Sequence, residues 1–192
     1  MRRSISAMLT ALAALSTPAA AQAVTGPGDG GWSFGLAGTL GSRWQVEALD
    51  VGYARAVRAG PVSVAALTTR LGYFADEGAI IGGTRGFVFG LTLAGRTAMA
   101  RLADLGADST PTPLGVDLTL EATGYAAAHS PLPLGSVWGA VSPLVGLRYG
   151  NANSAQYALL LGPTVFLGQV TQVRPFIAVR FESALARGKP QP

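Results

Sequence analysis

Residues 114–125 read LGVDLTLEATGY, and this stretch decides the fold class. Leu114, Val116, Leu118, Leu120 and Ala122 fall on every second position, with Gly115, Asp117, Thr119, Glu121 and Thr123 between them. A period of two belongs to a strand with two unlike faces, not to a helix. The same alternation recurs downstream and upstream. Phe87, Phe89, Leu91 and Leu93 lie in a strand over about residues 86–97, and Val137, Val141, Val145 and Leu147 in one over about 137–149. Tyr157, Leu159, Leu161, Val165 and Leu167 mark residues 157–168, and Val173, Ile177, Val179 and Phe181 mark 173–182. Three earlier strands cover about residues 32–40, 43–57 and 62–74, with Arg58-Ala59-Gly60-Pro61 as a tight turn. The second slips phase near Ala48–Leu49, which predicts a bulge, and the third slips near Ala65–Ala66. Together these make about eight strands, each about ten residues or longer, enough to cross a bilayer at a tilt.

Charge separates cleanly in the five regular strands. Arg96, Asp117, Glu121, Arg148, Arg174, Arg180 and Glu182 all lie on the face opposite the Leu/Val/Phe face. They are predicted to form a charge network inside a barrel whose apolar face looks outward. The rest of that polar face is largely Gly, Ala, Thr and Ser, small enough for the narrow interior of an eight-stranded barrel. A soluble barrel would instead turn its apolar face inward.

Composition agrees. Charged residues make up 12% of the chain, about half of what an ordinary soluble domain carries, and the mean hydropathy is positive. No apolar helical span follows the first two dozen residues, and a membrane protein without such helices must be a closed barrel to satisfy its backbone. Arg2 and Arg3, the uncharged apolar run 5–16, Pro18 and Ala21-Gln22-Ala23 read as a signal peptide, 1–23, cleaved to leave one domain, 24–192. Taking Arg2 and Arg3 from the 14 basic residues leaves little excess over the 10 acidic ones. No basic run supports nucleic-acid binding. The chain has no cysteine, so disulfides and thiolate chemistry are excluded.

One segment departs from the pattern. Residues 97–106 (TAMARLADLG) predict a short helix, with Thr97 as cap, Met99, Leu102 and Leu105 on one side and Gly106 as stop. The alternative at this point is an additional strand.

The signal peptide, the amphipathic strands and segments such as residues 142–148 (SPLVGLR) and 174–181 (RPFIAVRF) resemble the small outer-membrane barrels of the OmpA-type and opacity-protein families. The resemblance implies an all-β, antiparallel up-and-down transmembrane barrel, placed in the bacterial outer membrane by its assembly machinery and in contact with outer-membrane lipid. It departs from those families in the tail after Phe181, residues 182–192.

Catalytic signals are weak. His129 is the one histidine, and Ser130 beside it would point the other way along an extended chain. Asp117 and Glu121 are roughly 13 Å apart along one strand, too far for a glycosidase-like pair. Residues 148–153 (RYGNAN) lack the histidine and serine of a lipid-deacylating barrel motif, and Gly82-Gly83-Thr84-Arg85-Gly86 lacks the lysine of a phosphate loop. The expectation is a non-enzymatic, monomeric outer-membrane barrel without cofactor or metal, with an envelope-structural or surface-contact role. The alternatives are a soluble periplasmic barrel holding a hydrophobic ligand and, with less support, a lipid-modifying barrel enzyme.

Overall fold

The structure is a computed structural model, and it describes residues 30–41, 44–76, 86–106, 111–127, 134–151 and 154–184. The expected signal segment, residues 82–85, His129 and Ser130 lie outside these residues. The described chain is all-β. Its elements are β1 (Gly31–Thr39), β2 (Trp44–Ala59), β3 (Val62–Asp76), β4 (Phe87–Arg96), β5 (Ala100–Leu105), β6 (Thr112–Ala127), β7 (Val137–Asn151), β8 (Ala155–Leu167) and β9 (Thr171–Ala184). Each pairs antiparallel with its neighbour, β1 closes onto β9, and β4 and β5 both pair with β6. The last two are consecutive pieces of one wall position, so the sheet is a closed eight-stranded barrel.

Partners can be followed once around the wall, from Trp32 through Tyr53, Leu67, Leu93, Ala122, Val141, Val165 and Val173. Continuing the β9–β1 register from Val173 reaches position 42, a stagger of ten residues. Such a stagger tilts the strands and fixes the width, leaving an eight-stranded interior just wide enough for side chains. We call the end where β1 begins and β9 finishes the lower end. Its connections are residues 60–61, 106–111 and 152–154; those of the upper end are 40–43, 77–86, 128–136 and 168–170. Gly60 takes φ of 59° in the two-residue turn between β2 and β3, a left-handed conformation that suits glycine.

The helix predicted for residues 97–106 is not there. Arg96 pairs with Thr119 and Ala100 with Val116, so Thr97–Met99 is a bulge carrying one extra residue, and β5 continues along β6 beyond it. The ladder prevails for a simple reason. A helix this short is marginal by itself, whereas β5 gives the backbone of residues 112–116 a partner. Thr97 completes the bulge: its amide donates to Leu118 O at 2.9 Å, and its Oγ1 accepts from Leu118 N at 3.1 Å. Met99, read as the apolar side of a helix, is instead buried at the lower mouth against Gly115. Thr97→Val keeps the shape but strands the Leu118 amide, and should lower barrel stability by about 1–3 kcal/mol in a detergent unfolding titration.

The predicted bulge near Ala48–Leu49 is also misplaced. The register of β2 on β3 is unbroken from Trp44 to Ala56 and shifts between Ala56 and Ala59. The slip expected near Ala65–Ala66 is absent from the β3–β4 register.

Candidate functional site

The barrel is inverted relative to a water-soluble protein. Leu36, Leu49, Leu71, Phe89, Leu93 and Val145 all stand exposed on the outer wall, while arginines and carboxylates fill the interior. Aromatic residues collect on the outer wall toward the lower end. Tyr149, Tyr157, Phe181 and Phe34 face one another in register across four neighbouring strands, and Trp32 packs edge-on to Tyr53 at 5.5 Å between centroids.

The inward residues of β6 pass through every layer of the lumen in turn. Asp117 belongs to a lower charge cluster, Glu121 to an upper one, and Tyr125 to an aromatic roof. In the upper cluster, Arg70 forks onto Asp50, donating from Nε to Oδ1 at 2.8 Å and from Nη2 to Oδ2 at 2.9 Å. Arg180 donates to Asp50 Oδ2 at 2.7 Å and to Glu121 Oε1 at 2.5 Å, and Arg70 reaches Glu121 Oε2 at 3.3 Å. Arg70 also donates to the Tyr125 hydroxyl at 2.8 Å and lies 5.1 Å over the Phe176 ring. Two guanidinium groups and two carboxylates thus close a ring with balanced charge. The planar, multi-donor geometry of arginine makes this possible; the lysine ammonium lacks the fork.

The lower cluster repeats the balance. Arg148 Nη1 donates to Glu182 Oε1 at 2.8 Å and its Nε to Asp117, while Arg96 Nη1 donates to Glu182 Oε2 at 2.9 Å. Thr119 Oγ1 donates to Asp117 Oδ1 at 3.0 Å. A cavity of about 10 Å³ beside Arg96, Arg148, Asp117 and Gln156 has room for about one water. Small inward residues leave space for these groups. A Cβ on Gly146 would stand 2.5 Å from Asp117 Oδ1, and one on Gly90 would strike the Tyr125 ring at 2.9 Å. Above, Tyr125 stacks on Trp138 at 5.4 Å, and Phe74 and Phe166 close the upper end of the lumen around them.

Of the seven charges predicted to share the lumen, six are buried in these clusters: Arg96, Asp117, Glu121, Arg148, Arg180 and Glu182. Arg174 is on the same face but half-buried near the upper end, where it donates to Gln172 at 3.4 Å. Asp50 and Arg70 were not among the predicted residues, although Asp50 binds both arginines of the upper ring. Phe74 is wholly buried inside.

Chemically, each lumen carboxylate already accepts from at least one arginine, which suits holding the wall together rather than taking up a substrate proton. Among the described residues no three His, Cys, Asp or Glu side chains stand close enough to bind a metal. Compared with family models, with curated proteins and with solved structures, the chain matches none of them.

Proposed function

We propose that this chain is a non-enzymatic barrel of the bacterial outer membrane, exported by its N-terminal signal, contributing to envelope structure or surface contact through its upper connections. The observation that carries this reading is the inversion of the wall. Arginines and carboxylates pair in the lumen, and a largely apolar surface faces out with aromatic residues toward one margin, as lipid-spanning barrels require. No helix among the described residues could cross a membrane, a fact without bearing on strands. The short connections 60–61 and 152–154 at the lower end suit the periplasmic side, and the longer 77–86 and 128–136 at the upper end suit the outside. The filled lumen favours a closed wall over a general pore. It also speaks against the alternative of a soluble barrel holding a hydrophobic ligand, since the interior offers ion pairs where an apolar cavity would be needed.

Flotation with lipid vesicles and heat-dependent gel migration test the reading together. The full chain should float with the vesicles, and unheated samples should migrate as a compact form that boiling converts. Recovery as a soluble, monodisperse protein without detergent would overturn it.

A further inference from the structure

Among the described side chains, one carboxylate on the outer wall, Glu47, is in no ion pair. Asp50, Asp104, Asp117, Glu121 and Glu182 each pair with an arginine. Glu47 takes part in none of the ion pairs among the described residues. Its alternation on β2 turns it outward, beside Leu49 and level with Gly38 of β1 and Tyr73 of β3. Two neutral donors hold it in place: Gln45 Nε2 donates to Oε1 at 2.6 Å, and the Tyr73 hydroxyl donates to Oε2 at 2.6 Å. A carboxylate has about four acceptor positions, so half of its capacity remains open after these two bonds. Gly38 places no side chain over it.

Glu47 also lines an open apolar groove of about 1250 Å³, larger than the roughly 300–1,000 Å³ of typical small-molecule sites. Leu36, Leu49, Leu71, Phe87, Phe89 and Val137 form much of its lining. An uncompensated negative charge beside an apolar furrow is complementary to an amphiphile with a cationic head. A primary ammonium fits best. It can donate several hydrogen bonds to the free carboxylate positions, and the Tyr73 and Phe87 rings beside it suit a cation.

We propose that this face binds a lipid with a primary amine in its head, the ammonium on Glu47 and an acyl chain along the groove. The inference rests on the membrane reading above and adds a specific lipid site to it.

The test reconstitutes the full chain and measures by native mass spectrometry which lipid survives delipidation, using phosphatidylethanolamine and phosphatidylcholine as probes. The choline head is equally cationic but donates no N–H bond. Wild type should retain the ethanolamine lipid about tenfold better, the ratio that one charge-assisted hydrogen bond supports. Glu47→Gln keeps the shape and should abolish that preference, whereas Leu49→Ser should weaken retention of both lipids. Equal retention of the two probes by wild type, or an unchanged preference in Glu47→Gln, overturns the proposal. So does a preference that chelating divalent cations removes, which would assign Glu47 to a cation bridge to lipid phosphate. Vesicle flotation in phosphatidylcholine alone separates the two levels. A chain that floats but shows no preference sinks only the lipid site; a chain that does not float sinks the membrane reading first.

Discussion

Glu121→Ala lowers the stability of the detergent-solubilised barrel by about 3–5 kcal/mol, read from its unfolding midpoint, because it strands buried charge. Glu121 is fully buried and accepts from both Arg180 and Arg70. With it gone, two guanidinium groups share Asp50 alone, in a layer roofed by Phe74, Tyr125 and Trp138. The cost comes chiefly from the uncompensated arginine charge, not from the lost attraction, since a buried pair offsets its own desolvation only in part. Glu121→Gln keeps the volume and one acceptor oxygen and should fall between the extremes. Asp104→Ala is the matched control: its pair with Arg101 on β5 is over a third exposed, so its loss should cost about 0–1 kcal/mol. If Glu121→Ala and Asp104→Ala shift the midpoint alike, the lumen is wet and the ring is not what holds the wall.

The same ring shows where sequence reading worked and where it stopped. Alternation was legible wherever large apolar residues marked the phase, as in β4 and β6 to β9, and there it assigned faces to Arg96, Asp117, Glu121, Arg148, Arg180 and Glu182. In β2 and β3 alanine and glycine occur on both faces, so the phase carries little signal. A bulge placed near Ala48–Leu49 and a slip placed near Ala65–Ala66 left the sides of Asp50 and Arg70 undecided. Alternation read from Leu49 and Val51, which stand on the outer wall, puts Asp50 inside. Parity also says nothing about height. Arg174 has the right face but sits above the clusters, because the level of each residue depends on the stagger around the barrel. Residues 97–106 failed for a third reason. Their spacing of Met99, Leu102 and Leu105 mimics a helix, while the pairing that overrides it is made with the following strand, β6, and is not written in the segment itself.

Val145→Arg tests the outside as Glu121→Ala tests the inside. Val145 is 52% exposed, lies mid-strand in β7, and is flanked in register by Leu118 and Leu161. In lipid, an arginine at mid-depth on the outer wall costs about 2–4 kcal/mol, and near the margin about 0–1 kcal/mol. Leu167, at the upper end of β8 and 47% exposed, supplies the margin position. Folding titrations into vesicles should therefore show a large loss for Val145→Arg and a small one for Leu167→Arg, although the two sites are equally accessible. Water has no depth. A soluble barrel would treat both as surface substitutions, each within about 0.5 kcal/mol of wild type. The gap between the two variants, more than the size of either effect, reports whether this wall faces lipid.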